Sequence, residues 1–403
     1  MDTFEITVVG GGLAGSVAAL AFARRGFSTA FIAPEDGRID TRTSALMDNS
    51  VKFLEALGIW DLVAPNATAL STMQIVDATN RLLRAPTVAF RASEIDLAAF
   101  GYNIPNAPFL DVLTKALHEE ALITRFVAQL TGMSASDDMT ALTLSTGQTI
   151  SSGLVVGADG SNSFVRQSAG IDVRTNKYPQ TAVVLNFAHD LPHNNISTEF
   201  HTETGPFTQV PLAGRRSSLV WVVRPEEVQA ILDLDETTLN RRIETQMHSI
   251  LGKVRVEGKP RAWPLSAMTA NRFGKGNVVL IGEAGHVFPP IGAQGLNLSL
   301  RDIPTAIELA CDAKARGTSL AIGDAYDRRR RADVHTRTAG IDLMNRSLLS
   351  GFLPVQMLRA AGLQLLASIP PLRHFAMQEG VSPGRALRNF PSFLRKKIDR
   401  QSA

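Results

Sequence analysis

The sequence predicts an α/β fold: a Rossmann-type domain, an inserted antiparallel-sheet domain and a helical C-terminal region. Three observations predict it. An apolar strand at the start of the chain runs into a glycine turn, alternating β-branched stretches break up the middle, and leucine-rich helical patterns fill the end.

Residues Ile6 to Ala23 carry no charge and could be mistaken for a membrane span or a signal peptide. Asp2 and Glu5 stand where a positive leader would be, and Gly10, Gly11, Gly12 and Gly15 crowd the middle. The expected structure is therefore a strand over Ile6 to Val9, a glycine turn and a helix over Leu13 to Arg25. Gly10-Gly11-Gly12-Leu13-Ala14-Gly15 fits GxGxxG at the place where that pattern has a use. The first glycine permits the tight turn, the second lets a diphosphate approach the backbone, and the third allows close helix packing. The helix start then offers free N–H groups to an anion. Gly10, Gly12, Leu13, Ala14 and Gly15 are accordingly candidate cofactor residues.

A second strand is expected over Ser28 to Ala33. Dinucleotide folds commonly end that strand in an acid, roughly 20 residues after the turn, which holds a ribose. Here it ends Phe31-Ile32-Ala33-Pro34, and the nearest acids, Glu35 and Asp36, read equally well as solvated turn residues.

Farther along, Leu154 to Ser163 runs from an apolar strand into a turn, with Arg166 in an expected helix. Asp159 at such a place is also an ordinary helix cap. A third motif starts with the strand Val278 to Ile281. Gly282-Glu283-Ala284-Gly285-His286 follows, then Pro289-Pro290-Ile291-Gly292-Ala293-Gln294-Gly295-Leu296-Asn297, with Arg301-Asp302 beyond. His286 is expected to be a satisfied, partly buried histidine rather than a base.

These two motifs carry a resemblance. The first resembles the GxDGxxSxxR motif of class A flavoprotein monooxygenases, in which Asp159 would contact the cofactor region. The other looks like the second FAD fingerprint of the para-hydroxybenzoate hydroxylase superfamily. The resemblance implies that Gly282 and Glu283 lie at the ribityl chain, and that Pro290, Gly292, Gly295, Leu296 and Asn297 shape the pocket under the flavin. A helix beginning near Gly295 would aim its positive end at the flavin's pyrimidine edge. Glu283 stands where the family commonly has Asp, and Gly285 where it commonly has Ala.

Within the superfamily the chain most resembles the ubiquinone-biosynthesis hydroxylases. Pro290 to Asp302, Arg42-Thr43-Ser44-Ala45-Leu46, Phe53 to Trp60 and Gly205-Pro206-Phe207 before Val210-Pro211-Leu212 carry that likeness. It implies that Arg42 lies beside the cofactor, that Asn106 opens the helix bordering it, and that the Val127 backbone meets adenine. It further implies FAD as cofactor, NADPH or NADH as electron donor, O2 as co-substrate and a prenylated aromatic substrate that is hydroxylated. In such an enzyme the flavin carries the chemistry, so no catalytic side chain is expected.

The middle of the chain sets the organisation. Thr72 to Asp77, Arg81 to Phe90 and Thr181 to Val223 alternate and are rich in turns, as an antiparallel sheet requires. The FAD-binding domain is then expected in three parts, 1–71, 101–175 and 266–345, with a substrate domain from 72–100 and 176–265, and a helical region over 346–403. Arg328 to Arg331 reads as a solvated helix face. Apolar stretches near Leu348 to Leu366 are interrupted by Pro354, Gly362 and Pro370-Pro371, too often to cross a bilayer. The tail mixes Arg385, Arg388, Arg395, Lys396, Lys397 and Arg400 with Phe390, Phe393 and Leu394, a pattern that reads equally as a contact with an anionic membrane surface and as a frayed terminus.

Composition excludes other classes. At 44% hydrophobic residues the 403-residue chain can build substantial cores, and a net charge of +3 gives no general argument for nucleic acid. Cys311, the single cysteine, permits no intramolecular disulfide and no cysteine-based metal site, so no metal is expected. The expected address is cytoplasmic, with peripheral contact at the inner face of the membrane. A homo-oligomer or a biosynthetic complex is compatible with that reading. Two rivals stand beside it: a monooxygenase of a soluble aromatic compound, and a flavin-binding component of a complex that does not turn over.

Overall fold

Toward its C-terminal end the first strand, Asp2–Val9, becomes fully buried. Such a strand needs cover on both faces and a neighbour on each side. It has both. In the computed structural model, which describes residues 1–35, 40–79, 84–136, 138–289, 294–335 and 369–381, it pairs in parallel with Thr29–Ile32 and with Thr149–Gly157. Ile123–Phe126 continues the parallel sheet beyond the former, and Val278–Leu280 continues it beyond the latter. Antiparallel strands Gly274–Lys275, Thr140–Leu144 and Leu130–Ala135 complete an eight-stranded sheet.

Register decides what this sheet can do. Val9 faces Ile32 and Gly157, Ile32 faces Phe126, and Gly157 faces Leu280. The carboxyl ends of all the parallel strands therefore lie along one edge, which is where open α/β sheets bind their ligands.

Leu13–Ala23 is apolar all round and buried from Gly15 onward, as a helix wedged inside a fold must be. It packs on the sheet, on Asn106–Glu119 and on Gln294–Ala315. The expected helix and the strand over Ser28 to Ala33 are both present, shortened at their ends.

A second eight-stranded sheet runs in the order His286–Val287, Val254–Ala270, Val173–His189, Arg216–Val223, Pro206–Leu212, Ile196–His201, Thr72–Asp77 and Val88–Arg91. Its neighbours are antiparallel except Ile196–His201 with Thr72–Asp77, a parallel exception to the expected pattern. One face is buried: Val183, Leu185, Phe187, Phe207, Leu219 and Trp221 pack with Ile231, Leu239 and Ile243 of two short helices. The other face carries half-buried Val184, Thr208, Val210 and Val220. The strand Val254–Ala270 spans position 265, and His286–Val287 adds an edge strand from within the third motif.

A small sheet of Thr43–Met47, Gly101–Pro105 and Thr68–Ala69 bridges the two large ones. Asn103 Nδ2 donates to the Pro211 carbonyl (2.9 Å), and the Thr43 and Ser218 hydroxyls are 3.1 Å apart.

The C-terminal part differs from expectation in two places. A helix over 323–335 contains the basic run, but Arg330 is buried and ion-paired to Asp302 and Asp333. Only part of that run is a solvated face. Pro370-Pro371 opens the helix Pro370–Val381 instead of merely interrupting one, because proline fits a helix's first turn. That helix docks on 92–100 through Met377 and through Arg373, which pairs with Glu94. Leu348 to Leu366 and the basic tail from Arg385 lie outside the described residues. No helix of the described residues is long and apolar enough to cross a membrane.

Candidate functional site

The turn after the first strand is built from backbone because nothing larger fits. Gly10 has φ +122, and a Cβ there would stand 2.2 Å from the Ala158 carbonyl oxygen. Gly15 sits so close to the turn that its Cβ would come within 2.0 Å of the Gly10 carbonyl oxygen. These contacts press the first turn against the second motif and seat the helix on the strand end. Gly12, by contrast, is the N-cap of Leu13–Ala23 with no side-chain cap and open space above it. The amides at Leu13 and Ala14 thus begin a helix whose positive end no protein side chain closes. On the neighbouring strand, Glu35 is exposed and Asp36 lies outside the described residues. Val127, just past Ile123–Phe126, is 55% exposed on the same edge.

Asp159 spends its carboxylate locally. It accepts from the Ser163 hydroxyl (2.5 Å) and from Val165 N–H (3.1 Å), and Ser163 caps Phe164–Ser168 by accepting from Arg166 N–H (3.0 Å). The N-cap is thus Ser163, not Asp159, which instead braces the cap and the first turn of the helix. Arg166 turns inward and donates to the Ala284 carbonyl (2.9 Å), joining the second motif to the third. Burial lowers its pKa.

The third motif rests on a buried charge. Asp302, on Gln294–Ala315, accepts from Gly282 N–H (3.0 Å), lies 2.7 Å from His286 Nε2, and accepts from Arg330 Nε (2.8 Å). Burial pushes its carboxyl up, but the neighbouring His286 and Arg330 and these hydrogen bonds outweigh that, so it stays below the usual carboxylate range. Tyr326, fully buried beside it, donates to the Leu280 carbonyl (2.9 Å), and burial with the Asp302 charge raises the phenol well above its ordinary value. His286 is 2% exposed, more deeply buried than expected, and only Nε2 finds a partner among the described residues. Gly282 has φ +62, and its Cβ would stand 2.8 Å from Ser299 Oγ. Next to it, Glu283 is exposed.

Gly295 lies in the first turn of the long helix with open space where a Cβ would go, and Leu296 is half-buried. Asn297 is buried and works as a latch: Oδ1 accepts from Met47 N–H (2.8 Å) and the Ser50 hydroxyl (2.7 Å), and Nδ2 donates to the Ala45 carbonyl (2.7 Å). Pro290 and Gly292 lie outside the described residues.

Arg42 and Asn106 meet at Asp40, a residue that no sequence motif singles out. Asp40 accepts from Arg42 Nε and Nη2 (2.8 Å each) and from Asn106 Nδ2 (2.8 Å). Burial would raise its carboxyl, yet the hydrogen bonds from Arg42 and Asn106 win and bring it from 3.8 to about 2. Asn106 opens its helix as expected, and its Oδ1 accepts from the Ser44 hydroxyl (2.7 Å). The Asp40 hydrogen bond raises the Arg42 pKa, burial opposes it, and the charges of Asp40 and Glu283 add to the rise. Arg42 therefore lies within electrostatic reach of the third motif.

Three separated turns thus share one sheet edge, and the small sheet ties that edge to the half-buried apolar face of the second sheet. Residues 3–339 match the family described as "FAD binding domain". The chain belongs to this family. It is 31% identical to the ubiquinone hydroxylase UbiL of Rhodospirillum rubrum over 96% of this chain and 93% of that one. It is 30% identical to the 3-demethoxyubiquinol 3-hydroxylase of Escherichia coli over 93% of this chain and 97% of the other. The crystal structure of p-nitrophenol 4-monooxygenase PnpA from Pseudomonas putida superposes with a TM-score of 0.78 over 96% of this chain and 99% of that one, at 18% identity, which establishes the shared fold.

The cleft fits the family's cofactor. A diphosphate needs uncapped amides and free space at a helix start, and Gly12 provides both. Among the described residues no group of side chains could hold a metal ion.

Proposed function

We propose that this protein is an FAD-dependent monooxygenase that hydroxylates an aromatic ring with NADPH or NADH and O2, and that its substrate is a polyprenylated phenol of ubiquinone biosynthesis. The observation that carries the reading is the convergence of the three turns on one edge of the parallel sheet. The similarity to two ubiquinone-pathway hydroxylases over nearly the whole chain supports the substrate class.

Bound FAD would supply the redox chemistry and the activation of oxygen. The chain's own residues bind, orient and exclude water. Gly10, Gly12, Leu13, Ala14 and Gly15 hold the diphosphate through backbone amides, and the Val127 backbone borders the adenine. Gly282 and Glu283 face the ribityl chain, with Asp159 acting on that region through the turn it braces. Pro290, Gly292, Gly295, Leu296 and Asn297 frame the flavin ring, and the helix start beside it favours negative charge there. Arg42 and Asn106, braced by Asp40, close the side near the small sheet. Val210 and Val220 receive the substrate ring and part of its tail, keeping water away from the reacting carbon.

The domain division follows from the same reading: 1–71, 101–175 and 266–345 bind flavin, and 72–100 with 176–265 cover it. The C-terminal region 346–403 carries peripheral contact with the inner face of the membrane, where a prenylated substrate is found.

The deciding experiment supplies the flavin-loaded protein with donor, oxygen and either a prenylated or a small unprenylated phenol, and follows hydroxylated product. Product from the prenylated phenol is expected. Turnover of the small phenol alone would move the assignment to a soluble aromatic substrate, and no product from either would favour the non-catalytic component.

A further inference from the structure

Beside Arg42, at the rim of the second sheet, lies a cleft of about 520 Å3 whose lining includes Arg42, Val184, Arg216, Lys259, Arg261 and Trp263, so that it adjoins the half-buried face of that sheet. A break in strand pairing makes it. Val184 faces Arg261 and Asn186 faces Glu257, so Gly258, Lys259 and Pro260 oppose Leu185 alone. Gly258 takes φ +72 at the start of the excursion, and Pro260 has no N–H to give the ladder. The bulge carries Lys259 outward and sets it with Arg261 and Trp263 along one rim, all three exposed.

The charges in this cleft do not balance. Arg216 is paired with Glu257 (2.6 Å) and Arg42 with Asp40 (2.8 Å). Among the described residues, Lys259 and Arg261 make no ion pair. Two uncompensated cations therefore share a recess with an indole that is 46% exposed and has the Arg42 guanidinium 5.6 Å from its ring centre. A recess of this kind suits a ligand carrying phosphates and a flat ring: the cations serve the phosphates and the indole face serves the ring.

The proposed reaction has one soluble co-reactant of that chemistry, the nicotinamide dinucleotide, and Arg42 connects the cleft to the flavin-binding turns. We infer that this cleft docks the phosphates of the nicotinamide donor through Lys259 and Arg261, with Trp263 as a platform for one of its rings. The inference rests on the hydroxylase reading.

Its test uses the flavin-loaded enzyme mixed anaerobically with increasing NADPH, and separately NADH, while flavin bleaching is followed. Lys259 and Arg261 are exposed, so the double variant Lys259→Gln/Arg261→Gln should fold and keep its flavin. The donor Kd is expected to rise about tenfold or more, with the reduction rate at saturation unchanged within about twofold, as loss of charge-assisted phosphate contacts requires. The salt dependence of donor binding should become shallower than in the wild type. Trp263→Leu should raise the same Kd severalfold without changing that salt dependence. An unchanged Kd in the double variant overturns the inference, as does wild-type flavin that neither donor reduces.

A chemically reduced sample separates the two readings. Reduced protein that then hydroxylates the prenylated phenol in the presence of oxygen upholds the hydroxylase assignment whatever the donor titration shows. Reduced protein that yields no product sinks that assignment, while a raised donor Kd in the double variant would still stand for the cleft.

Discussion

The two large sheets approach the same site with different materials. The parallel sheet brings backbone: glycine turns, uncapped amides and strand ends held in line by register. The antiparallel sheet brings side chains, Val210 and Val220 on two adjacent strands and Lys259 and Arg261 on another, from segments far apart in sequence. A site edge made of backbone tolerates almost no change where a Cβ has no room. An edge made of exposed or half-buried side chains can change residue by residue, with effects confined to what it binds.

The sharpest way to break this contrast is on the parallel side. Asp302→Leu leaves the buried Arg330 guanidinium with Asp333 alone and takes the shared acceptor from His286 and Gly282 N–H, and should cost about 3–5 kcal/mol, read as a lowered denaturation midpoint with loss of bound flavin. The double variant Asp302→Leu/Arg330→Met should recover most of that stability but not the flavin affinity, because Gly282 N–H has lost its acceptor. Equal loss in single and double variants would show that the charge pair is not what holds the motif.

Gly10→Ala comes next. Strain at a positive φ together with the clash on Ala158 should cost about 2–4 kcal/mol, and the purified protein should be colourless. A yellow Gly10→Ala protein of normal stability would remove the backbone argument. Asn297→Ala leaves Met47 N–H and the Ser50 hydroxyl without their acceptor and should cost about 1–3 kcal/mol, measured by urea unfolding.

The antiparallel side should respond more mildly. Val220→Ser adds a hydroxyl to the face assigned to substrate and should raise the KM for a prenylated phenol about threefold to tenfold, with flavin content unchanged. Loss of flavin from this variant would mean that the sheets do not divide the labour as described. The smallest effect belongs to acid. Asp40 is depressed in the folded protein, so its contribution is fully present above the unfolded value of 3.8 and is lost as pH falls toward about 2. Asp40→Asn should remove that part of the acid dependence of stability while leaving the neutral-pH fold intact, a difference visible by comparing unfolding midpoints across that window.

The same contrast explains what could be read from the sequence. Gly10 to Gly15 and Gly282 were legible because a local pattern, strand then glycine then helix, states a backbone requirement in consecutive residues. Asp40 was not, since its meaning comes from Arg42 and from Asn106, which is remote in sequence. Arg330 looked like one more cation in a solvated run, and only the packing of the helix over 323–335 against Asp302 shows otherwise. Lys259 and Arg261 gained significance from a strand bulge that no periodicity signals. The antiparallel sheet was expected from alternation, but its one parallel pairing depends on chain crossings that alternation does not encode.

The alignment of strand ends also has a consequence for synthesis. Among the described residues Val278–Leu280 is the last parallel strand to be made, and the latch at Asn297 follows it. A ribosome must therefore release nearly three quarters of this polypeptide before the crevice can close around its yellow guest. Until then the early hydrophobic segments wait for neighbours not yet translated, and chaperone capture during that interval is the natural risk for a chain wired in this order.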